Sequence, residues 1–164
     1  MSVDAKPDRF ALVSGGEGTI TGTVVCAAAI AYGAGHLDTA AQLSTAILGT
    51  VIVYWLAHLH AIALSTSITR GHHPVVALRH AVAETFPILV ASVVPLGVLL
   101  GTTVLGADLL TAAWTALYVT VGLLGFYSYV AGVRSGLGVT GRIVSTAAGV
   151  ALGMLVVLLK VALH

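Results

Sequence analysis

The sequence predicts an all-α fold, a polytopic transmembrane helix bundle, and three observations carry that prediction. Of 164 residues, 58% are hydrophobic and only 8% are charged, against about 25% charged in a typical soluble domain. The apolar residues come in continuous runs rather than at amphipathic spacing, so helices packed in water would keep little polar face. Several of these runs reach the length of about 20 residues that a helix needs to cross a bilayer. The chain length fits a single domain. A net charge of +1 with no basic block leaves nucleic-acid binding without a basis, so no nucleic-acid partner is expected. The lone cysteine, Cys26, excludes an intramolecular disulfide or a Cys-rich zinc site and reads as a small apolar residue inside a helix.

Residues 1–18 form a polar tail carrying Asp4, Lys6, Asp8, Arg9 and Glu17. Two glycines and Glu17 separate the basic residues from the first apolar run, the pattern of a retained segment rather than a cleaved signal. The first span is read at about 19–35. It is short and rich in Ala, Gly and Thr, and without it the bundle has four spans instead of five. The second, about 41–64, follows Asp38 as its expected N-cap, and its pattern runs on to Thr69. Residues 75–86 read as a short interfacial helix or a bent extension of the third span, about 87–105. Pro87 and Pro95 each remove a backbone donor and can kink that span; in lipid such breaks call for protein neighbours. The fourth and fifth spans are read at about 109–133 and 143–163.

Basic residues in short loops set orientation. Five spans with a cytoplasmic N-terminus place Lys6, Arg9, Arg70, Arg79, Arg134 and Arg142 inside and only Lys160 outside, beside Asp38 and Asp108. Four spans obey the rule less well. The expected location is the plasma membrane, with the C-terminus outside. Glycine pairs at four-residue spacing, Gly97/Gly101, Gly132/Gly136 and Gly149/Gly153, are positions where helices approach closely in membranes. Lys160 shares the Gly149/Gly153 face, with the Leu155 and Leu159 side nearer lipid.

Ionisable groups at membrane depth are costly, which makes each one a functional candidate. On the second helix Thr50, Tyr54, His58, Ser65 and Thr69 share a stripe expected to face the bundle or water. His60 points the other way, so His58 and His60 cannot chelate one ion. Glu84 lies four residues after His80, a spacing that allows an interfacial salt bridge, a proton step or a metal pair. His72 and His73 join His80 in a loose cluster. Lys160, about a turn from the C-terminus, can snorkel outward or pair with Asp108 or Asp38. The candidate proton or ion pathway is thus His58, Glu84, Tyr54, Ser65 and Lys160, with His80 and Glu84 as the metal candidates. Trp114 suits an aromatic belt at the outer interface.

The runs Trp55-Leu56-Ala57-His58-Leu59-His60-Ala61, Glu84-Thr85-Phe86-Pro87 and Leu159-Lys160-Val161-Ala162-Leu163-His164 resemble a group of small uncharacterised multi-span membrane proteins of high-GC Gram-positive bacteria. The resemblance extends from about Leu43 to the end. It implies a membrane location and a helical architecture, but no activity.

Two functions compete. A non-catalytic subunit or scaffold of a larger membrane complex would use its polar groups to hold helices together. A small proton- or cation-translocating protein would use His58 and Glu84, as a homo-oligomer or with partner membrane subunits. The subunit is favoured because no complete site assembles, and an intramembrane enzyme ranks third because no nucleophile, base and orienting group share a face. No phosphate loop, zinc-protease motif or facing pair of haem-ligating histidines occurs, and no cofactor is expected.

Overall fold

Among the described residues five helices follow one another: α1 (Glu17–Gly33), α2 (Ala40–Arg70), α3 (Pro74–Val104), α4 (Leu109–Arg134) and α5 (Val139–Leu163). This computed structural model describes residues 16–70 and 74–163, and all side chains among them except those of 66–70, 74, 75, 77 and 163. No strand occurs among the described residues. Among the described residues four helices, over Ala40–Ser65, Leu78–Val104, Leu109–Arg134 and Val139–Ala162, are long and apolar enough to cross a membrane. The fold is the all-helical membrane bundle that composition predicts.

α2 pairs with α3 and α4 with α5; α3 packs on α4, and α1 touches all four of the others. This central place explains the unusual composition of α1. Its 17 residues span only about 25 Å at 1.5 Å per residue, the lower limit for crossing. Its neighbours cover most of it, so it needs little hydropathy and benefits from small side chains. Cys26, Ala27, Ile30 and Ala31 of α1 lie in a core with Leu43 and Ile47 of α2, Leu99 of α3, and Ala113 and Leu117 of α4. At Gly22 the α1 backbone rests on α3 so closely that a Cβ would sit 2.8 Å from Ile88 Cα.

Helix ends follow local chemistry. α2 is capped by Thr39, not by Asp38 as expected from sequence. The Gln42 amide donates to Thr39 Oγ1 at 3.2 Å, and Gln42 Oε1 accepts from the Asp38 amide at 3.3 Å. Thr39-x-x-Gln42 places an acceptor and a returning amide one residue later than Asp38 would. Asp108 caps α4, accepting from the Thr111 amide at 3.1 Å. α3 and α4 each end in a glycine at positive φ, Gly106 at 93° and Gly136 at 69°. The next residues, Ala107 and Leu137, donate back to the carbonyls of Thr102 and Gly132, the paired closure that favours glycine. Gly136 therefore ends a helix and has open space around it, rather than packing with Gly132 as the four-residue spacing suggested.

The segment 75–86 and the third span form one continuous 31-residue helix through both prolines. A helical proline removes its own donor and crowds the carbonyl four residues earlier, and at Pro87 the α1 backbone packs against that break. Gly18 lies against Pro87, and Gly22 against Ile88. At about 46 Å each, α2 and α3 exceed a hydrocarbon layer of about 30 Å, so this hairpin projects beyond it.

Candidate functional site

The start of α1, the His58 turn of α2 and the Ala83–Pro87 turn of α3 enclose a cleft of about 270 Å³. Gly16, Glu17, Gly18, Thr19, His58, Ile62, Ala83, Glu84 and Pro87 line it. Glycine positions it: a Cβ at Gly18 would stand 3.3 Å from Ile88 Cγ1 and 3.7 Å from the Glu84 carbonyl oxygen. That close approach carries Glu17, one residue earlier, to the Glu84 side of α3. The helical repeat places His58 and Ile62 on one face of α2.

His58 is half-buried and its ring stacks on Tyr54, with centroids 6.0 Å apart and planes 13° apart. Glu17 and Glu84 are exposed, so the cleft opens outward. Thr19 is 1% exposed, and its hydroxyl has no hydrogen-bond partner among the described residues. Pro87 supplies no amide proton to the Ala83 carbonyl four residues earlier, so a further acceptor belongs to this wall. Two carboxylates and an imidazole are thus among the side chains that line the cleft. Among the described residues, no group of three His, Cys, Asp or Glu side chains could hold a metal ion.

The structure gathers some of the sequence candidates and disperses others. His58 and Glu84 line one cleft, with Tyr54 behind His58. His80 is exposed and lines a separate groove with Val76, Arg79 and Ala83. Ser65 is exposed at the rim of α2. The expected polar stripe of α2 holds only in part. Thr50 is exposed, and its hydroxyl donates to the Ala46 carbonyl at 2.8 Å, a bond that satisfies it without any bundle partner. The Thr69 side chain, His72 and His73 lie outside the described residues.

Lys160 lies at the other end of the bundle and is 3% exposed, not snorkelled to the surface. Helical side chains lean toward the helix N-terminus, which turns Lys160 back into the bundle. Its Nζ sits 5.2 Å from the Trp114 ring centroid, a cation–π contact. Trp114 is stacked on Tyr118, so it serves as more than a belt residue. Gly149 and Gly153 on the same face pack against Leu124, Ser128 and Val121 of α4, while Leu155 and Leu159 are 61% and 54% exposed.

Sequence reasoning missed Glu17 and Thr19 as cleft residues, because it placed Glu17 in the tail and read Thr19 only as the start of an apolar run. It also missed the link from Trp55 to Thr85. Trp55 Nε1–H donates to Thr85 Oγ1 at 3.0 Å, and Thr85 Oγ1–H donates to the Ala81 carbonyl at 2.7 Å. Nothing in a 30-residue separation signals that pair. On the far side, Ser145 Oγ–H donates to the Ser128 carbonyl at 2.8 Å. Comparison with protein-family models, with curated proteins and with solved structures finds no match for this chain.

Proposed function

We propose that this chain is a non-catalytic subunit or scaffold of a larger assembly in the plasma membrane, with its N-terminus cytoplasmic and its C-terminus outside. The observation that carries this reading is the use made of the interior polar groups, which join helices to one another. Trp55 ties α2 to α3 through Thr85, Ser145 ties α5 to α4, and Lys160 of α5 lies over Trp114 of α4. The six-to-one distribution of Lys and Arg supports the orientation.

A second reading, translocation of protons or a cation, draws on the shared cleft of His58 and Glu84. Against it, Cys26, Ile30, Leu99 and Leu117 form an apolar core between that cleft and Lys160. Proteoliposome flux with a pH-sensitive dye separates the two. The subunit reading expects no flux above empty vesicles, together with a stoichiometric assembly by native mass determination in mild detergent. Flux that His58→Ala and Glu84→Gln each abolish would overturn it. Reporter fusions at both ends are expected on opposite sides of the membrane; a same-side result would remove the five-span orientation.

A further inference from the structure

We infer that the groove between α4 and α5 holds an acyl chain of one anionic glycerophospholipid, whose phosphate meets Arg142 and Arg134. The inference needs only a membrane around the bundle, so it stands under either functional reading.

The groove comes first. Tyr129, Ile143, Thr146, Ala147, Val150 and Ala151 line an open space of about 590 Å³. Close backbone approach makes its floor: a Cβ on Gly125 would meet Val150 Cγ2 at 2.9 Å. Ala147 and Ala151 are exposed and small, so they leave a hollow beside the larger, exposed Ile143. Thr146 Oγ1–H donates to the Arg142 carbonyl at 2.8 Å, which satisfies that hydroxyl within its own helix. From Ile143 to Ala151 the helix rises about 12 Å, and the hollow follows it in the direction that acyl chains take.

Charge then selects the headgroup. Arg142 directly precedes Ile143 at one end of the groove. The last turn of α4 packs on its stem, where a Cβ on Gly132 would lie 3.6 Å from Arg142 Cγ, and Arg134 ends α4 two residues later. The sequence from Leu109 to His164 contains no aspartate or glutamate. The described carboxylates lie elsewhere: Glu17 and Glu84 line the cleft of α1, α2 and α3, and Asp38 and Asp108 precede α2 and α4. A phosphate at Arg142 therefore meets only positive charge, whereas the ammonium of a zwitterionic head finds no carboxylate on this hairpin.

Arg142 is also held ready. It is half-buried, and its Nε–H donates to the Leu137 carbonyl at 2.9 Å. An arginine has five donors, and the terminal nitrogens of Arg142 bond to none of the described residues. Their fork suits paired phosphate oxygens, and a guanidinium already fixed loses little freedom on binding. The groove between α2 and α3, which runs from Leu48 and Ile52 to Val93 and Leu100, makes the contrast. It has no charged residue within four positions of its lining on either helix, so it accepts any chain and selects no headgroup.

The test is native mass spectrometry on the full chain in mild detergent, titrated separately with dioleoylphosphatidylglycerol and dioleoylphosphatidylcholine. One phosphatidylglycerol should bind saturably, with Kd about tenfold or more below that of phosphatidylcholine. Arg142→Gln and Arg134→Gln should each remove most of that preference. Ala147→Phe fills the groove without changing charge and should raise Kd for phosphatidylglycerol about tenfold. Arg134 and Ala147 are exposed, so their variants keep the fold and the test does not hang on Arg142→Gln. Arg79→Gln, at an exposed arginine of α3, should leave Kd unchanged, and sn-glycerol 3-phosphate, a headgroup without chains, should not displace the lipid. The proposal is overturned if phosphatidylcholine binds equally, if neither arginine variant of the hairpin alters the preference, or if Ala147→Phe has no effect. An equal loss in Arg79→Gln, or displacement by glycerol phosphate, would overturn it as well.

Discussion

The two hairpins solve the same packing problem in opposite ways. In α4/α5 the backbones approach closely through glycine: a Cβ on Gly149 would lie 2.6 Å from the Leu124 carbonyl oxygen, and one on Gly153 would lie 3.0 Å from Val121 Cα. In α2/α3 the glycines are unused, since Gly49, Gly97 and Gly101 have nothing within 4 Å of a Cβ. That hairpin is joined instead by the Trp55–Thr85 bond and by larger side chains. Helices in lipid gain little from apolar transfer and associate through close contact and polar bonds. The tight hairpin uses the first means; the looser one relies more on the second and leaves room for a cleft. A glycine pair at four-residue spacing therefore marks an opportunity for contact, which only the partner helix takes up.

The largest expected effect tests that contrast directly. Gly149→Ala forces Cβ into the α4 backbone and should destabilise the fold by about 1–3 kcal/mol in a detergent unfolding titration. Gly97→Ala meets open space and gains helix propensity, so it should be neutral or stabilising by up to about 1 kcal/mol. Equal losses from both would show that the α3 face is packed after all. Next in size is Trp114→Leu, which removes the ring beneath a buried ammonium and should cost about 1–2 kcal/mol. An unchanged midpoint would mean that the contact adds nothing to α4/α5 cohesion.

Trp55→Phe should cost less, about 0.5–1 kcal/mol, because Thr85 keeps its bond to the Ala81 carbonyl. A loss as large as that of Gly149→Ala would make the looser hairpin as dependent on one contact as the tight one. The smallest effect is expected at Asp108. Hydrogen bonding from Thr111 holds this carboxyl below the usual carboxylate range. A depressed folded pKa adds stability above the unfolded value and loses it as pH falls through the folded one. Acidification below the ordinary carboxylate range should therefore lower Tm slightly in the wild type, and Asp108→Asn should remove that component. An identical acid profile in both proteins would show that the α4 cap is electrostatically silent.

Parts of the candidate site were legible because they are local. His58 stood out as an imidazole in a run otherwise suited to hydrocarbon, and Glu84 as a carboxylate at the mouth of a span. The face shared by Gly149, Gly153 and Lys160 followed from helical repeat alone. Glu17 and Thr19 were not legible as cleft residues, because what brings them to Glu84 is the backbone approach at Gly18 and Gly22, a contact between segments some 66 residues apart. The α2 cap was readable in Thr39-x-x-Gln42 and was misassigned to Asp38, which has the stronger intrinsic capping preference one residue too early.

What the sequence alone determined is the class of the molecule: a bundle of hydrophobic helices and their approximate limits. These depend on hydropathy over about 20 residues, which is written locally. Only the tertiary structure decided which helix is central, which glycines carry contact, and that Lys160 turns inward over Trp114. Those outcomes depend on which surfaces meet. In a medium as apolar as the side chains themselves, small differences in shape select the partner, and no single segment encodes them.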